Sequence, residues 1–377
     1  MRHTLFLMIL LLSLSCTSRS QAKRDSIIDT LSDSLSDSIF PTDTLRLLFV
    51  GDLMQHQGQI NAARTSTGYD YSTCFAYVKE EIKKADLSIA NLEVTLGGKP
   101  YKGYPAFSAP DEFLTAIPDA GFNVLVTANN HSLDRGKSGL EKTHQLIDSL
   151  KVPHAGTYIN ADEREKKYPL LLEKNGFRIA LLNYTYGTNG IPVTPPNIVN
   201  YIDTAIIAKD IEESKAMKPD AIIACMHWGI EYQSLPSKKQ KFLADWLLQK
   251  GVDHVIGSHP HVVQPIEVRE DSLTKEKHLV VYSLGNYISN MSARRTDGGL
   301  MVRMELVKDS TIRLNHCEYS LVWTARPIQS GKKIINYYTA SLCQNIHTLT
   351  QPQPPTNIHT VSRPTLFTCP SYQHLTY

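Results

Sequence analysis

The chain has few cysteines, only a short hydrophobic run at its start, and almost no excess of charge. Its 377 residues include six cysteines, and no two of these form a Cys-x-x-Cys pair. Six cysteines are too few for a disulfide scaffold in a chain of this length, and without such pairs a structural zinc ribbon is not indicated. A nucleotide-binding loop is also missing, because Gly97-Gly98-Lys99 lacks the required spacing. No nucleophile elbow supports a serine hydrolase.

The charge balance excludes a large class of partners. Lysine and arginine number 39 and aspartate and glutamate 37, which gives a formal net charge of +2. A chain so close to neutral predicts no broad face for polyanions, so nucleic acid is not expected as a partner. Hydrophobic residues make up 42% and charged residues 20%, which is typical of a soluble globular protein of about two domains or one large one. The composition excludes a mostly disordered chain and a multispan membrane protein.

The first sixteen residues are typical of a secretory signal. A short basic start precedes an apolar run over residues 5–12, which is too short to span a bilayer permanently. Ser15 directly before Cys16 resembles a bacterial lipobox, although Ser13 stands where leucine is usual. We favour lipidation of Cys16, which would anchor the mature protein to a membrane. Ordinary signal cleavage with an incidental cysteine is the alternative.

Two further segments differ in composition from the rest of the chain. Residues 17–44 are rich in serine and aspartate and are interpreted as a tether, because such a segment buries too little apolar surface to offset its ordering entropy. A short exposed helix is the alternative, since leucine and isoleucine recur there. Residues 338–377 are rich in proline, threonine, glutamine and histidine and predict an irregular tail or an aberrant C-terminus.

The body between these ends, residues 45–337, alternates strand-like and helix-like segments. Strands are predicted at 45–50, 87–90, 124–127, 179–183, 221–226 and 255–256, with helical spacing over 75–84. Capping boxes at Ser138 and Ser237 predict two further helices, the first ending near Leu150. Phe242, Leu243, Trp246 and Leu247 form the apolar stripe of the second helix. From about residue 263 to 320 only strands follow, so an α/β layered fold with a second sheet is predicted.

Polar side chains follow five of the predicted strands, at the point where each strand ends. The carboxyl ends of strands form the usual ligand-binding edge of an open α/β sheet. Mixed nitrogen and oxygen ligands without thiolate suit Mn²⁺, Zn²⁺ or Fe and argue against Ca²⁺. One histidine at a strand end is more often structural, but five such ends predict a metal site. The residues are Asp52, Asn91, Glu93, Asn129, Asn130, His131, His227, His259 and His261.

Six ordered motifs give the chain a family resemblance. They are Gly51-Asp52-Leu53-Met54, Asn91-Leu92-Glu93, Ala128-Asn129-Asn130-His131-Ser132-Leu133-Asp134, His227-Trp228-Gly229-Ile230-Glu231-Tyr232, Gly257-Ser258-His259-Pro260-His261 and Ser283-Leu284-Gly285-Asn286-Tyr287. Together, over about residues 45–320, they resemble the CapA family, which is associated with poly-γ-glutamate capsule synthesis. The resemblance implies a calcineurin-like metallophosphoesterase fold, an α/β β-sandwich flanked by helices in αββα layers.

The resemblance also implies roles for individual residues. His131 would be catalytic and assist the leaving group. Met54 departs from the superfamily's Asp-x-His motif, and His56 is a candidate substitute, so one or two divalent ions (Mn, Zn or Fe) are expected. The implied metal ligands are Asp52, Glu93, Asn130, His227, His259 and His261.

For several neighbouring residues, two interpretations of their role remain open. Trp228 and Tyr232 could line a substrate groove or pack in the core. Glu231 could orient a ligand histidine or be a loop charge. Asp134 is expected to hold backbone near the Asn130-His131 turn. Asn91 and Asn286 complete the set of supporting or substrate-contacting residues, with Asn286 expected to fix a loop. Cys225 is predicted to be a small buried hydrophobe.

Two functions from different classes follow from the resemblance. The first is a metal-dependent, phosphoesterase-like hydrolase that acts in capsule synthesis at the bacterial cell envelope. The second is a non-catalytic component of a capsule assembly or export machine that binds an anionic polymer through metal. On either hypothesis the protein would be an extracytoplasmic lipoprotein. Its partners would be a phosphoester or an anionic polymer, together with capsule synthesis or export proteins. Met54 weakens the enzyme reading.

Overall fold

The computed structural model describes residues 43–309 and 311–325, and the backbone of residues 328–329, 332–333 and 339–348. The expected signal, Cys16 and almost all of the expected tether lie outside these residues. Asp43 and Thr44, which the tether was expected to include, belong to the first strand. Among the described residues, no helix combines the length and the apolar composition needed to cross a membrane.

The first sheet has eight strands and a parallel centre. Its order is β18-β15-β14-β1-β2-β3-β4, and β13 pairs with β1. β1, β2, β3 and β4 run parallel to one another, while β14, β15 and β18 are antiparallel. The strands are β1 (Asp43–Leu53), β2 (Leu87–Leu92), β3 (Val124–Val126), β4 (His154–Ala155), β13 (Asn286–Ile288), β14 (Gly298–Lys308), β15 (Ile312–Ala325) and β18 (Thr339–Thr348).

The second sheet has six strands in the order β11-β12-β10-β9-β7-β6. Its centre, β7-β9-β10-β12, is parallel, and its two outer strands are antiparallel. These strands are β6 (Leu170–Lys174), β7 (Phe177–Thr185), β9 (Ala221–His227), β10 (His254–Ser258), β11 (Ile266–Glu270) and β12 (Lys277–Val281). Two short ribbons pair β5 (Thr157–Tyr158) with β8 (Ile198–Val199) and β16 (Ile328–Gln329) with β17 (Lys332–Lys333).

Seven helices occur among the described residues, and side-chain caps start several of them. Asp203 accepts hydrogen bonds from two backbone N–H groups of the sixth helix. Ser237 and Gln240 form the predicted capping box of the seventh. The helices are α1 (Gln57–Ala62), α2 (Lys79–Ile82), α3 (Asp111–Ala120), α4 (Gly136–Ser149), α5 (Ala161–Lys167), α6 (Thr204–Ala216) and α7 (Lys238–Gln249).

Alternating side chains divide the core into layers. In β1, Leu47 and Phe49 face the second sheet, whereas Leu48 and Val50 pack on the side of α3 and α4. In β9 the same alternation separates residues between the sheets from those that pack against α6 and α7. Because side chains alternate across a strand, each central strand contributes to two cores. The two facing sheets with helices outside confirm the expected αββα sandwich.

Several local predictions were wrong. α4 begins before Ser138, whose hydroxyl donates to the Arg135 carbonyl instead of capping the helix. Only Lys79–Ile82 is helical within residues 75–84. Phe242 is 62% exposed, because the buried stripe of α7 is formed by Leu243, Ala244 and Leu247. β18 lies in the stretch expected to be irregular and pairs with β15.

Candidate metal centre

The ends of the parallel strands bring the predicted residues to one edge of the sandwich. In the first sheet, Asp52 lies in register with Asn91 on β2 and with Asn286 on β13. In the second sheet, His227 lies in register with Ser258 on β10. The approach of β1 to β13 depends on Gly51, because a Cβ there would lie 1.8 Å from the Gly285 carbonyl oxygen.

Two carboxylates and a histidine form the centre of this edge. Asp52, Glu93 and His227 are buried, and one potential ligand atom from each lies within 4.8 Å of the others. Glu93 Oε1 lies 3.8 Å from His227 Nε2 and 3.7 Å from His261 Nε2. The Asn91 amide nitrogen donates to Asp52 Oδ1 at 2.8 Å and to Glu93 Oε2 at 3.1 Å. Glu93 Oε1 is buried without a hydrogen-bond partner in the described part of the chain.

The remaining predicted ligands surround this centre. His261 Nδ1 lies 3.1 Å from Asp52 Oδ2 and 3.0 Å from Asn286 Oδ1. His227 Nε2 lies 2.7 Å from Asn130 Oδ1. A further set of potential ligands is formed by Glu231, His259 and His261. One ligand atom from each of these residues lies within 4.8 Å of the others. The structure therefore brings all six predicted ligands to one place.

The backbone of the two loop histidines is held in an uncommon conformation. His259 and His261 have φ values of 99° and 58°, in the left-handed region that favours glycine. Such conformations persist where the surrounding structure fixes them, and they concentrate at functional sites. The Nδ1 atom of His259 is buried without a partner among the described residues. Its neighbour Tyr186 lies with its ring centroid 4.4 Å away.

Burial and neighbouring charges set the protonation of the cluster. Burial and the negative charge of Asp52 hold the pKa of Glu93 well above its usual range. Burial opposes ionisation of Asp52, but the hydrogen bond and charge of His261 lower its pKa overall. His261 has a raised pKa despite its burial because it is bonded to Asp52. Burial, with the charge of His261, lowers the pKa of His259 to about 3, so that ring is neutral near pH 7.

His131 has a separate set of contacts beside the cluster. Its Nδ1 atom lies 2.7 Å from Asp134 Oδ2 and 3.5 Å from the side-chain nitrogen of Asn189. The Asp134 carboxylate also accepts the backbone N–H of Phe107, whose ring packs against His131. Asp134 thus holds backbone, as expected, and fixes the histidine ring as well.

Met54, which departs from the superfamily motif, and His56, the candidate substitute, have other surroundings. Met54 is 2% exposed within the apolar core and brings no imidazole. His56 precedes α1, its ring packs edge-on against Phe107, and its Nδ1 accepts from the Asn290 backbone N–H. His56 belongs to none of the three groups of potential metal ligands in the described residues.

The structure decides between the alternative interpretations of the other residues. Trp228 is buried in the core and its indole N–H donates to the Tyr282 carbonyl, whereas Tyr232 is 49% exposed. Glu231 joins the histidine group. Asn286 accepts from His261 and donates to the Thr296 carbonyl, so it orients a histidine and fixes a loop. Cys225 is buried between the sheets, as predicted.

Three residues of the site were not found from the sequence. Ser258 Oγ lies 2.9 Å from His227 Nδ1. Asn189 accepts a hydrogen bond from Asn130 and contacts His131. Tyr186 follows β7 directly, so the same attention to strand ends would have found it.

The donor set fits a divalent transition-metal ion. The cluster offers imidazole nitrogens and carboxylate and amide oxygens, which suit such ions. Buried polar atoms are rarely left unpaired, and here Glu93 Oε1 and His259 Nδ1 are both unpaired within the described residues. A cation bound beside either atom would give that atom a partner.

Known proteins resemble this chain over most of its length. The chain is 28% identical over 284 residues to the capsule biosynthesis protein CapA of Bacillus anthracis, covering 72% of this chain and 66% of that protein. It is 29% identical over 281 residues to the PGA biosynthesis protein CapA of Bacillus subtilis strain 168, covering 73% and 71%. The crystal structure of the calcineurin-like phosphoesterase YfkN from Bacillus subtilis matches with 14% identity and a TM-score of 0.45, over 78% of this chain and 95% of that one.

A family model decides the relationship. The model described as bacterial capsule synthesis protein PGA_cap matches residues 46–291, well over half of the chain. The matched span runs from within β1 to just beyond β13 and contains every candidate ligand. The sequence resemblance is thereby confirmed, and this chain belongs to the bacterial capsule synthesis protein PGA_cap family.

Proposed function

We propose that this chain is a metal-dependent phosphoester hydrolase that acts in capsule synthesis at the bacterial cell envelope. The observation that carries the proposal is Glu93, a buried carboxylate whose Oε1 atom lacks a hydrogen-bond partner in the described chain and faces His227 and His261. A group in that setting is costly unless a cation is bound beside it. The family relationship supports the capsule context.

The residues that would hold the ion supply a mixed donor set. They are Asp52, Glu93, Asn130, His227, His259 and His261. A divalent ion bound there supplies Lewis-acid activation of water and of a phosphoryl oxygen. Asn91 and Asn286 orient the ligands through their hydrogen bonds to Asp52 and His261, a role that outer partners commonly have in metal sites.

His131 is the residue that would move a proton. Asp134 contacts its Nδ1 atom, which leaves Nε2 as the nitrogen that can face a substrate. The Asp134 carboxylate fixes the ring and lies beside the positive charge that forms when the ring is doubly protonated. Nε2 would then donate its proton to the leaving oxygen. General acid catalysis of this kind typically contributes about 10²- to 10⁴-fold.

Three proteins assayed together test this proposal. His131→Ala should keep the metal content and fold of the wild type but lose about 10²- to 10⁴-fold in turnover of an activated phosphoester. His227→Ala should lose metal as well as turnover. His316→Ala is a matched control, because His316 lies in β15 with a 43% exposed side chain. Full turnover in His131→Ala would contradict its role as the acid.

A second candidate function has an observation in its favour. Met54 packs in the core, so the histidine of the superfamily's first motif has no counterpart there. The chain would then bind an anionic polymer through its metal as part of a capsule assembly or export machine. A wild type that is inert with Mn²⁺, Zn²⁺ and Fe²⁺, yet binds poly-γ-glutamate only when metal is present, would replace the hydrolase proposal with this one.

The location at the envelope is proposed from the sequence. Cys16 ends an apolar run, and the segment after it is polar. One acyl chain gives only marginal membrane binding, whereas a multiply acylated cysteine holds a protein stably. Cys16→Ser should therefore move the protein from the membrane fraction to the soluble extracytoplasmic fraction. Unchanged membrane association would contradict the anchor without touching the hydrolase proposal.

A further inference from the structure

A second group of histidine and glutamate side chains shares no residue with the candidate metal centre. His144 of α4, His154 of β4 and Glu163 of α5 each offer one ligand atom, and the three atoms lie within 4.8 Å of one another. Both histidines are buried, and the Glu163 side chain is 10% exposed. None of the three lies in a motif that the sequence suggested.

The outer nitrogen of each histidine faces a hydrogen-bond acceptor. His154 Nδ1 lies 3.2 Å from the Val152 carbonyl oxygen, which can only accept, so this nitrogen carries the hydrogen. His144 Nε2 lies 2.8 Å from Thr157 Oγ1. In metal sites a ligating histidine commonly donates its outer N–H in this way, which directs the lone pair of the other nitrogen inward.

The threonine network fixes the direction of the second bond. Thr127 Oγ1 donates to the Ala155 carbonyl at 3.1 Å. The 2.8 Å contact between the hydroxyls of Thr127 and Thr157 then takes its hydrogen from Thr157. Thr157 Oγ1 has no further hydrogen to give, so it accepts from His144 Nε2.

When each ring carries a single hydrogen, on its outer nitrogen, the two inner nitrogens and the Glu163 carboxylate are three acceptors that face one another at the centre of the group. His144 Nδ1 and His154 Nε2 lie 3.2 Å apart, and His144 Nδ1 lies 3.7 Å from Glu163 Oε1. Two lone pairs and a carboxylate are a cation-binding arrangement.

We propose that His144, His154 and Glu163 bind a divalent transition-metal ion of the zinc class. Two imidazoles and one carboxylate are a known zinc ligand set. Two ligands of a tetrahedral zinc ion, each about 2.0 to 2.1 Å from it, lie roughly 3.3 Å apart. The inner nitrogens are separated by 3.2 Å, so only the carboxylate has to approach. The ion would tie α4, β4 and α5 together, and the proposal does not rest on the proposed hydrolase activity.

Lys167 is the group that competes with the ion. Its ammonium donates to Glu163 Oε1 at 2.8 Å and also contacts Asp148. Its side chain is 38% exposed, so it can turn towards solvent and leave the carboxylate to a metal. Removing its charge should strengthen metal binding, whereas a purely structural hydrogen-bond group predicts no such gain.

Zinc content of the purified full chain tests the proposal. After chelation, reloading with Zn²⁺ and removal of free metal, His154→Gln should hold one zinc ion per chain fewer than the wild type. His316→Gln, which changes an exposed histidine of β15, should match the wild type. Equal zinc content in the wild type and a folded His154→Gln would overturn the proposal.

A second variant covers the case in which His154→Gln does not fold. Lys167→Met keeps all three ligands and removes the competing charge. In a background with His259→Ala and His261→Ala, which weakens the first centre, zinc affinity measured against a chelating dye should rise about tenfold or more. Unchanged affinity, or no zinc binding at all in this background, would overturn the proposal. Loss of turnover alone in that background bears only on the hydrolase.

Discussion

The two histidine and glutamate groups use the same residue types under opposite electrostatic conditions. Glu93 lies beside Asp52 with one oxygen unpaired among the described residues, and its pKa is raised well above the usual range by burial and by that neighbouring charge. Glu163 accepts hydrogen bonds from Lys167 and from the Ile159 backbone N–H, and its pKa is lowered to about 2 although burial opposes this. The buried Glu93 carboxylate is thus a cost to the fold, whereas the partly buried Glu163 carboxylate supports it, because the two have different donors.

The largest expected difference between the groups is in activity. Glu93→Gln replaces a charged ligand by a neutral amide, so we expect it to lose metal from the first centre and to reduce turnover of an activated phosphoester to background. Glu163→Gln should leave turnover close to that of the wild type, because Glu163 shares no ligand group with Asp52, Glu93 and His227. Elemental analysis and steady-state assays of both variants measure this. Equal losses of turnover would mean that the two groups are not independent.

The next difference is in the stability of the metal-free protein, where the two substitutions should act in opposite directions. Glu93→Gln replaces a buried carboxyl that has one oxygen without a partner among the described residues and should raise the free energy of unfolding by about 1 to 3 kcal/mol. Glu163→Gln removes charge-assisted hydrogen bonds and should lower it by about 1 to 3 kcal/mol. Denaturant unfolding after chelation measures both. A loss of stability in both variants would contradict the expected cost of burying Glu93, and would mean that the Asn91 amide compensates it.

The smallest and most diagnostic difference is in pH dependence, again without metal. The folded pKa of Glu163, about 2, lies below the ordinary 4.5, so its stabilisation is present above pH 4.5 and is lost as pH falls towards 2. The folded pKa of Glu93 lies above 4.5. The cost of ionising this residue in the folded protein is therefore absent at low pH, and it destabilises the wild type as pH rises above 4.5. The stability difference from each glutamine variant should therefore change with opposite slopes. Parallel slopes would contradict the contrast.

The sequence was informative where the direction of the strands alone decides which residues meet. Parallel strands place their carboxyl ends on one edge, so Asp52, Glu93, His227 and His261 could be grouped without knowing any distance. The capping box at Ser237 was equally readable, because a cap is a contact between residues close in sequence. The same signature failed at Ser138, where the chain enters α4 earlier and the hydroxyl bonds to Arg135.

The group of His144, His154 and Glu163 could not have been predicted from the sequence, because it depends on how separate elements pack. His144 lies within α4, His154 in a strand of two residues, and Glu163 in the first turn of α5. No spacing rule relates residues on a helix, a strand and another helix. Their contact is set by the docking of α4 and α5 on the sheet edge, which only the tertiary structure shows.

The position of Trp228 gives the protein an internal optical probe. Of the three tryptophans in the chain, Trp228 directly follows a candidate ligand, is 2% exposed and donates its indole N–H to Tyr282, while Trp246 and Trp323 are only partly buried. Its fluorescence should be emitted at short wavelength and resist quenching by iodide in solvent. Paramagnetic ions bound beside His227 would quench it by proximity, so titrating Mn²⁺ into the protein would report loading of the first centre.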